Sequence, residues 1–449
     1  MAGTGTSGRV SPRAQVAALR TAPPRARRAM VSAWVGFYVD MFDIYLPVVA
    51  LAPALAYFQP ASLSDAEASF LFYATFAATL VGRPVGALIF GHFADTIGRR
   101  RLALVAVAGF STCTLLMATL PGYSTWGAAA PLLLIALRFV DGIFLGGEYT
   151  SATPLAFEHC PAPGRGLFGG LLMGAYTIAY LSISVVVLVL LQVLSAPVYR
   201  EWGWRIPFVV GAALGFVFLA YRARIPESEL WQRAPKNDRP VRAVVAGPFR
   251  RDFSQVLLVM TGLWFVSTSV VSVMPRLLTS DLGWSSRWVT AVLLAAQPAV
   301  FAAFAVVGAV SQVVGRRTVL VAGSATAGTL GLALYYVLAS TPRSAAVTAL
   351  LAVAVQVIVL GVWGVVTSYC NERFDTPVRS SGFGLGYSLA VLPASFYAFY
   401  LAGLDLFLPY GLTQLVLLAL GAVLTLSGAL MGPETASRDL AGPVTKTRP

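Results

Sequence analysis

The sequence predicts an all-α integral membrane protein, with twelve transmembrane helices arranged as two six-helix pseudo-repeats. Three observations predict it. The 449-residue chain is 57% hydrophobic and 11% charged, where soluble domains average about 25% charged. Its apolar residues gather into twelve blocks, and a crossing helix needs about 20 residues. Its arginines fall on alternate loops, as in a chain threaded repeatedly through a bilayer.

The first block, 33–58, follows an Arg-rich stretch, 1–30, that holds Arg9, Arg13, Arg20, Arg25, Arg27 and Arg28 and no acid. That stretch reads as a disordered cytoplasmic tail. The apolar run after it is too long for a signal-peptide core, so no cleavable leader is expected. The turn to the second block (69–93) carries only Asp65 and Glu67 and marks the outside. Arg99, Arg100 and Arg101 precede the third block (102–120), and the uncharged turn 121–128 leads to the fourth (129–157). The fifth (166–194) and sixth (205–224) complete the first half. A cytoplasmic linker, 225–252, follows, with Arg222 and Arg224 at its edge and Arg233, Lys236, Arg239, Arg242, Arg250 and Arg251 within it. The remaining blocks lie at 254–279, 286–311, 318–339, 345–370, 380–402 and 411–431, with Arg316, Arg317, Arg373 and Arg379 on the linker's side. The positive-inside rule then places both termini in the cytoplasm, which requires an even number of spans. The expected units are the tail 1–30, a six-helix domain 31–224, the linker 225–252, a second six-helix domain 253–432, and a solvated tail 433–449. Linker and final tail are expected to lie outside any site.

Several functions are disfavoured. The net charge of +13 is explained by topology, so no nucleic-acid partner is expected. Cys113, Cys160 and Cys370 give no disulfide framework on a reducing side. No Gly-x4-Gly-Lys-Ser/Thr phosphate loop is present, which argues against a primary pump. His92 and His159 flank turns without a metal cluster or a nucleophile–base pair, so neither an enzyme nor a metal site is expected.

The halves repeat. Gly91, Asp95, Gly98, Arg99 and Arg100 between the second and third blocks recur as Gly308, Gln312, Gly315, Arg316 and Arg317 between the eighth and ninth, at an offset of 217. Glu158 and Arg165 recur as Glu372 and Arg379 at an offset of 214. Repeats that rock about a central site are a common build for secondary transporters. The stretch from Arg83-Pro-Val-Gly-Ala through Asp95 to Arg101 resembles the signature turn of the major facilitator superfamily. Its opening resembles the metabolite:proton symporter family, as do Arg138-Phe-Val-Asp-Gly through Glu148, Trp204-Arg-Ile-Pro-Phe, and Pro226-Glu-Ser with Trp231. The resemblance covers about 30–432 and implies a major facilitator fold. It also implies a cytoplasmic gate made by Arg83, Gly91, Asp95, Gly98, Arg99 and Arg100, with Glu158, Arg165, Glu372 and Arg379 in a related network. The chain departs from the pattern in three places. Asp141 stands where Gln is common and Tyr149 where Trp is usual, and Gln312 replaces the acid of the second turn. The last suggests that only the first half keeps a charged latch.

Six ionisable side chains lie within spans of the first half: Asp40, Asp43, Arg83, Arg138, Asp141 and Glu148. Each costs about 2.5–3.5 kcal/mol near the bilayer centre, so they must pair, face water or titrate. From helix rise, Asp40 is about 10 Å deep and Asp43 about 15 Å. The charges then sort into a central layer, Asp43, Arg138 and Asp141, and a cytoplasmic-side layer, Asp40, Arg83 and Glu148. Each layer has two acids to one base, and an uncompensated acid can take up a proton. Asp43 and Asp141 are the leading carriers, Asp43 the freer because Arg138 and Asp141 are three apart on one helix face. Asp40 and Glu148 are further coupling candidates. The same residues can be read otherwise. Arg138 with Asp141 can be a structural pair, Asp40 can simply pair with Arg83, and Glu148 can belong to the gate.

The second half offers neutral groups instead: Trp264, Ser267, Thr268, Gln297, Gln356, Trp363, Tyr387 and Tyr397. Mid-helix amides are costly unless they face a cavity or a partner helix. Tyr176, Tyr180, Trp264, Gln297, Gln356 and Trp363 are the candidates for walls around a substrate held by Arg138 and Asp43. One guanidinium suits one carboxylate, which favours a monocarboxylate or a zwitterion. The expected function is proton-coupled uptake of a small organic acid or zwitterion by alternating access. The expected protein is a monomer that uses a proton gradient and no cofactor. The alternatives are a drug:proton antiporter, and more remotely a non-transporting sensor or scaffold. The fifth block lacks the proline of the antiporter pattern, which favours import.

Overall fold

The computed structural model describes residues 10–440 apart from 61, 64, 236, 341 and 342. Among the described residues every regular element is a helix, and twelve helices are long and apolar enough to cross a membrane. They are α1 Pro24–Leu51, α2 Ala74–Thr96, α3 Arg99–Ala118, α4 Ala129–His159, α5 Ala162–Val193, α6 Ala196–Arg222, α7 Arg250–Thr279, α8 Ser286–Val314, α9 Arg316–Ser340, α10 Ala345–Glu372, α11 Thr376–Leu404 and α12 Leu412–Met431. The chain is a multi-pass membrane protein. Its all-helical build follows from the bilayer, where each backbone N–H and C=O must be satisfied within its own segment.

Small residues set the packing, because lipid gives no hydrophobic drive between helices. Gly82 and Gly86 of α2 lie against the backbone of α4 at Phe139 and Ile143, and Gly142 and Gly146 of α4 lie back against Thr79 and Arg83. Across the halves, Gly166 and Gly170 of α5 meet Gly308 and Phe304 of α8 in the same way. A side chain at any of these positions would collide with main chain.

The α2–α3 and α8–α9 turns, the linker and the C-terminal segment share one end of the bundle, here termed the latch face. Two sequence expectations change there. The stretch 1–30 is not a disordered tail over its described part. Pro12–Arg20 forms a helix capped by Ser11, whose Oγ accepts from Ala14 N at 3.2 Å. Gln15 is fully buried and donates to the carbonyl of Ala309 in α8 at 2.9 Å. Leu19, one turn on, packs over Gly164, where an added Cβ would stand 2.6 Å from its methyl. Two residues four apart thus give this helix a seat spanning both halves, and α1 itself begins at Pro24 rather than 33. The segment 433–440 is likewise seated on the protein, through contacts given below. Residues 1–9 and 441–449, the ends of the two expected tails, lie outside the described residues, as does Lys236.

Candidate functional site: buried charge layers and a double latch

The first half builds a buried centre from three helices. Asp43 of α1 and Asp141 of α4 both meet Arg138 Nη1, at 3.2 and 3.1 Å. All three are buried. The i,i+3 spacing on α4 lets Arg138 reach Asp141, while the Asp43 carbonyl adds an acceptor at 3.5 Å. Thr114 of α3 donates its hydroxyl to Asp43 Oδ1. Arg138 Nε and Nη2 and both Asp141 oxygens are buried without a hydrogen-bond partner among the described residues. The centre therefore carries two acids, one base and spare donors.

The second layer lies closer to the latch face, and its sequence reading needs correction. Asp40 Oδ2 lies 3.5 Å from Arg83 Nη2. Glu148 has a further charge partner, Arg222, ahead of Arg83. Arg222 ends α6, so the sequence alone sets it at the edge of the linker. It is fully buried, and its Nη1 donates to Ser32 of α1 at 2.8 Å. This layer has two acids and two bases and is balanced. Only the centre keeps a surplus carboxylate. All three cysteine thiols are free and buried. Burial, opposed by Arg165 and Arg316, pushes the Cys160 thiol in the α4–α5 turn up to about 12.

Aromatic rings line the contact between halves. Tyr176 and Tyr180 pack tilted and edge-on against Tyr45, with centroids 5.6 and 5.2 Å away. In the second half Trp264, Trp363 and Tyr387 form an edge-on cluster. Tyr387 also meets Tyr149 of α4 at 4.4 Å, and Arg83 sits 5.9 Å over its ring. Both indole N–H groups are engaged: Trp264 donates to the Tyr387 carbonyl at 3.2 Å and Trp363 to Ser267 Oγ at 2.6 Å. Gln297 donates to Leu293 of its own helix at 2.9 Å, leaving Oε1 unpartnered. Gln356 Nε2 is likewise buried and unpartnered.

At the latch face the repeats converge on one design. Asp95 accepts the N–H groups of Ser380 and Ser381 at the start of α11, at 3.2 and 2.8 Å. A carboxylate at a helix N-terminus also meets the positive end of the helix dipole. Gln312 does the same work at α5, accepting from Gly166 N at 2.9 Å and from Arg316 Nη2 at 2.6 Å. Gly91 leaves room for this closure, lying against Ser381. Arg99 pairs with Asp95 and Glu158, and donates to the Thr376 carbonyl at 2.7 Å. Arg316 grips Glu372 through Nε and Nη2 at 3.2 and 3.1 Å. The expectation that only the first half keeps a charged latch therefore fails: the amide replaces one acceptor, and Arg316–Glu372 retains the ion pair.

Two further readings are revised. Glu158 pairs not with Arg165 but across the halves with Arg379, and Arg165 donates to the Arg438 carbonyl at 2.9 Å. The linker and C-terminal segment, expected to be solvated, complete both latches. Glu227 accepts from Arg100 N at 2.9 Å, while Ser228 donates to Glu158. Glu434 accepts from Arg316 N and Arg317 N at 2.7 and 3.1 Å, while Thr435 donates to Glu372 at 2.7 Å. The Leu440 carbonyl accepts from Arg379 and Thr376. Gly98 and Gly315 begin α3 and α9 with φ of 130° and 108°, a left-handed region that favours glycine. The sequence signal for this pairing was Pro226-Glu227-Ser228 against Pro433-Glu434-Thr435.

Twelve apolar helices in two repeated halves, tied at one end around buried charge, are the architecture of a membrane transporter. The chain belongs to the Major Facilitator Superfamily, whose profile matches residues 33–398. It is 28% identical to the inner membrane metabolite transport protein YhjE of Escherichia coli K12, over 92% of this chain and 95% of that one. It is also 28% identical to a proline/betaine transporter of Salmonella typhimurium LT2, over 93% and 85%. Among solved structures it resembles the proton:xylose symporter XylE, with a TM-score of 0.75 at 17% identity, covering 93% of this chain and 98% of that one. The protein is a membrane transporter of small-molecule metabolites and not an enzyme.

Proposed function

We propose that the protein takes up a small organic acid or zwitterion together with a proton, with the latch face and both termini in the cytoplasm. The observation that carries this reading is the surplus carboxylate of the centre. Asp43 and Asp141 share Arg138, so the cluster bears one net negative charge until one proton is bound. A protonated centre releases part of the guanidinium's charge. Arg138 Nε and Nη2, buried and unpartnered, then supply the fork that suits a carboxylate. The aromatic walls around Tyr45 and Tyr387 suit the apolar or cationic remainder of the solute. The names of the metabolite and proline/betaine transporters among its relatives agree with this class. The proton gradient drives the cycle, no cofactor takes part, and one chain suffices.

The test uses purified protein in liposomes with a pH dye inside. Small carboxylates, betaines and amino acids are added outside one at a time. Solute-dependent acidification of the lumen, lost in Asp43→Asn, is expected. Solute-driven alkalinisation would instead make the protein an antiporter, and uptake indifferent to pH would remove the proton from the mechanism.

A further inference from the structure

The two charge layers form one ladder along α1. Ser32, Gly36, Asp40 and Asp43 recur at helical spacing, so they share a stripe. Each rung meets a group from another helix. Asp43 meets Arg138 of α4, and Asp40 meets Arg83 of α2. Gly36 faces Glu148 of α4: a Cβ there would stand 2.5 Å from Glu148 Oε1. Ser32 holds Arg222 of α6 at 2.8 Å. The glycine is what lets a carboxylate sit against α1 one turn below Asp40.

The rungs share a second property. Both Asp40 oxygens, Arg83 Nη2, Glu148 Oε1, and Arg222 Nε and Nη2 are buried without a hydrogen-bond partner among the described residues. Buried polar atoms are normally satisfied, and exceptions call for an explanation. A structural ion-pair network would close on itself with bidentate contacts, as Arg316 and Glu372 do at the latch. The latch-side rungs are held loosely instead, Asp40 by Arg83 and Arg222 by Ser32, each through a single contact.

We propose that Asp40 and Glu148 form the exit relay for the transported proton, and that Arg222 is the positioning residue that makes Glu148 give it up. This rests on the proton-symport reading and goes beyond it by naming a release station. The proton passes from the central acid to the Asp40 carboxylate, then to Glu148, then to water at the opened latch face. At each step one O–H bond breaks and one forms, and no electrons are exchanged. Gly36 of α1 stands against Glu148, and the charged groups around it are Asp40 from α1, Arg83 from α2 and Arg222 from α6. Asp40 and Glu148 are matched in number by Arg83 and Arg222, so each station of the relay has a guanidinium nearby to draw the proton onward. Arg222 stays protonated throughout, and its fixed place on Ser32 keeps a positive charge at the end of the ladder. An intramembrane chain of carboxylates of this kind is a recognised form of proton path.

Two measurements on the full-length protein test it. In infrared difference spectra without solute, Arg222→Gln at neutral pH is expected to gain a protonated-carboxyl band. That band should vanish in the double variant with Glu148→Gln. No gained band would mean that Arg222 does not govern Glu148, and would overturn the assignment even if the variants transport poorly. In liposomes, with radiolabelled glycine betaine and lactate as probes, Glu148→Gln is expected to lose at least tenfold in pH-driven accumulation. It should lose less than threefold in solute exchange at equal pH, which needs no net proton release. Equal loss of both, or of neither, would return Glu148 to a structural role. If the wild-type chain accumulates neither probe in response to pH while exchanging one, the symport reading falls with the relay. A relay failure alone leaves wild-type coupling intact.

Discussion

The centre and the latch-side layer both set carboxylates of α1 and α4 against arginines, yet one is balanced and the other is not. Asp40, Glu148, Arg83 and Arg222 sum to zero, while Asp43, Asp141 and Arg138 sum to minus one. The difference lies in α6, which sends Arg222 to one layer and no base to the other. Sheer burial of charge is thus not the mark of the coupling site, since both layers are equally buried. The mark is the charge left uncompensated.

Removing the shared base should break the comparison most severely. Arg138→Gln strands two carboxylates, and breaking a buried pair typically costs about 3–5 kcal/mol. Uptake is expected to fall more than a hundredfold, with a lowered unfolding temperature in detergent. Adding Asp141→Asn should restore much of that temperature and none of the transport. Next in size, Asp141→Asn alone makes the centre as balanced as the other layer. Initial uptake rates should then lose at least tenfold of their response to a pH gradient while solute binding persists. If the pH response survives, the surplus charge is not the coupling element. The smallest effect is expected for Ser32→Ala, which removes one hydrogen bond from Arg222 and costs about 1 kcal/mol. Transport should change by no more than threefold, because the ion pairs of both layers remain.

The fold was legible because hydropathy blocks and arginine placement are direct consequences of the bilayer. The central trio was legible too, since three charges within apolar runs admit few arrangements. Arg222 was not, because a basic residue at a helix end reads the same whether it snorkels to water or turns inward. The clue was on α1, where Ser32 and Gly36 extend the Asp40–Asp43 stripe toward the face at which α6 ends. Gln312 misled for a different reason. Its task is to accept hydrogen bonds at a helix start, and an amide oxygen does that as well as a carboxylate. The tail after 433 carries polar and charged residues that look solvated until Glu434 and Thr435 are aligned with Glu227 and Ser228. The aromatic walls were only partly readable, since ring-to-ring contacts across halves depend on docking and not on local pattern.

The seat of Pro12–Arg20 also has a temporal side. Gln15 and Ala309 are 294 positions apart. At synthesis rates of about 5–20 residues per second, Gln15 waits roughly 15–60 s before its partner has been made. The Pro12–Arg20 helix can therefore be fastened only once α8 has been made, and its fastening then ties the first half to the second.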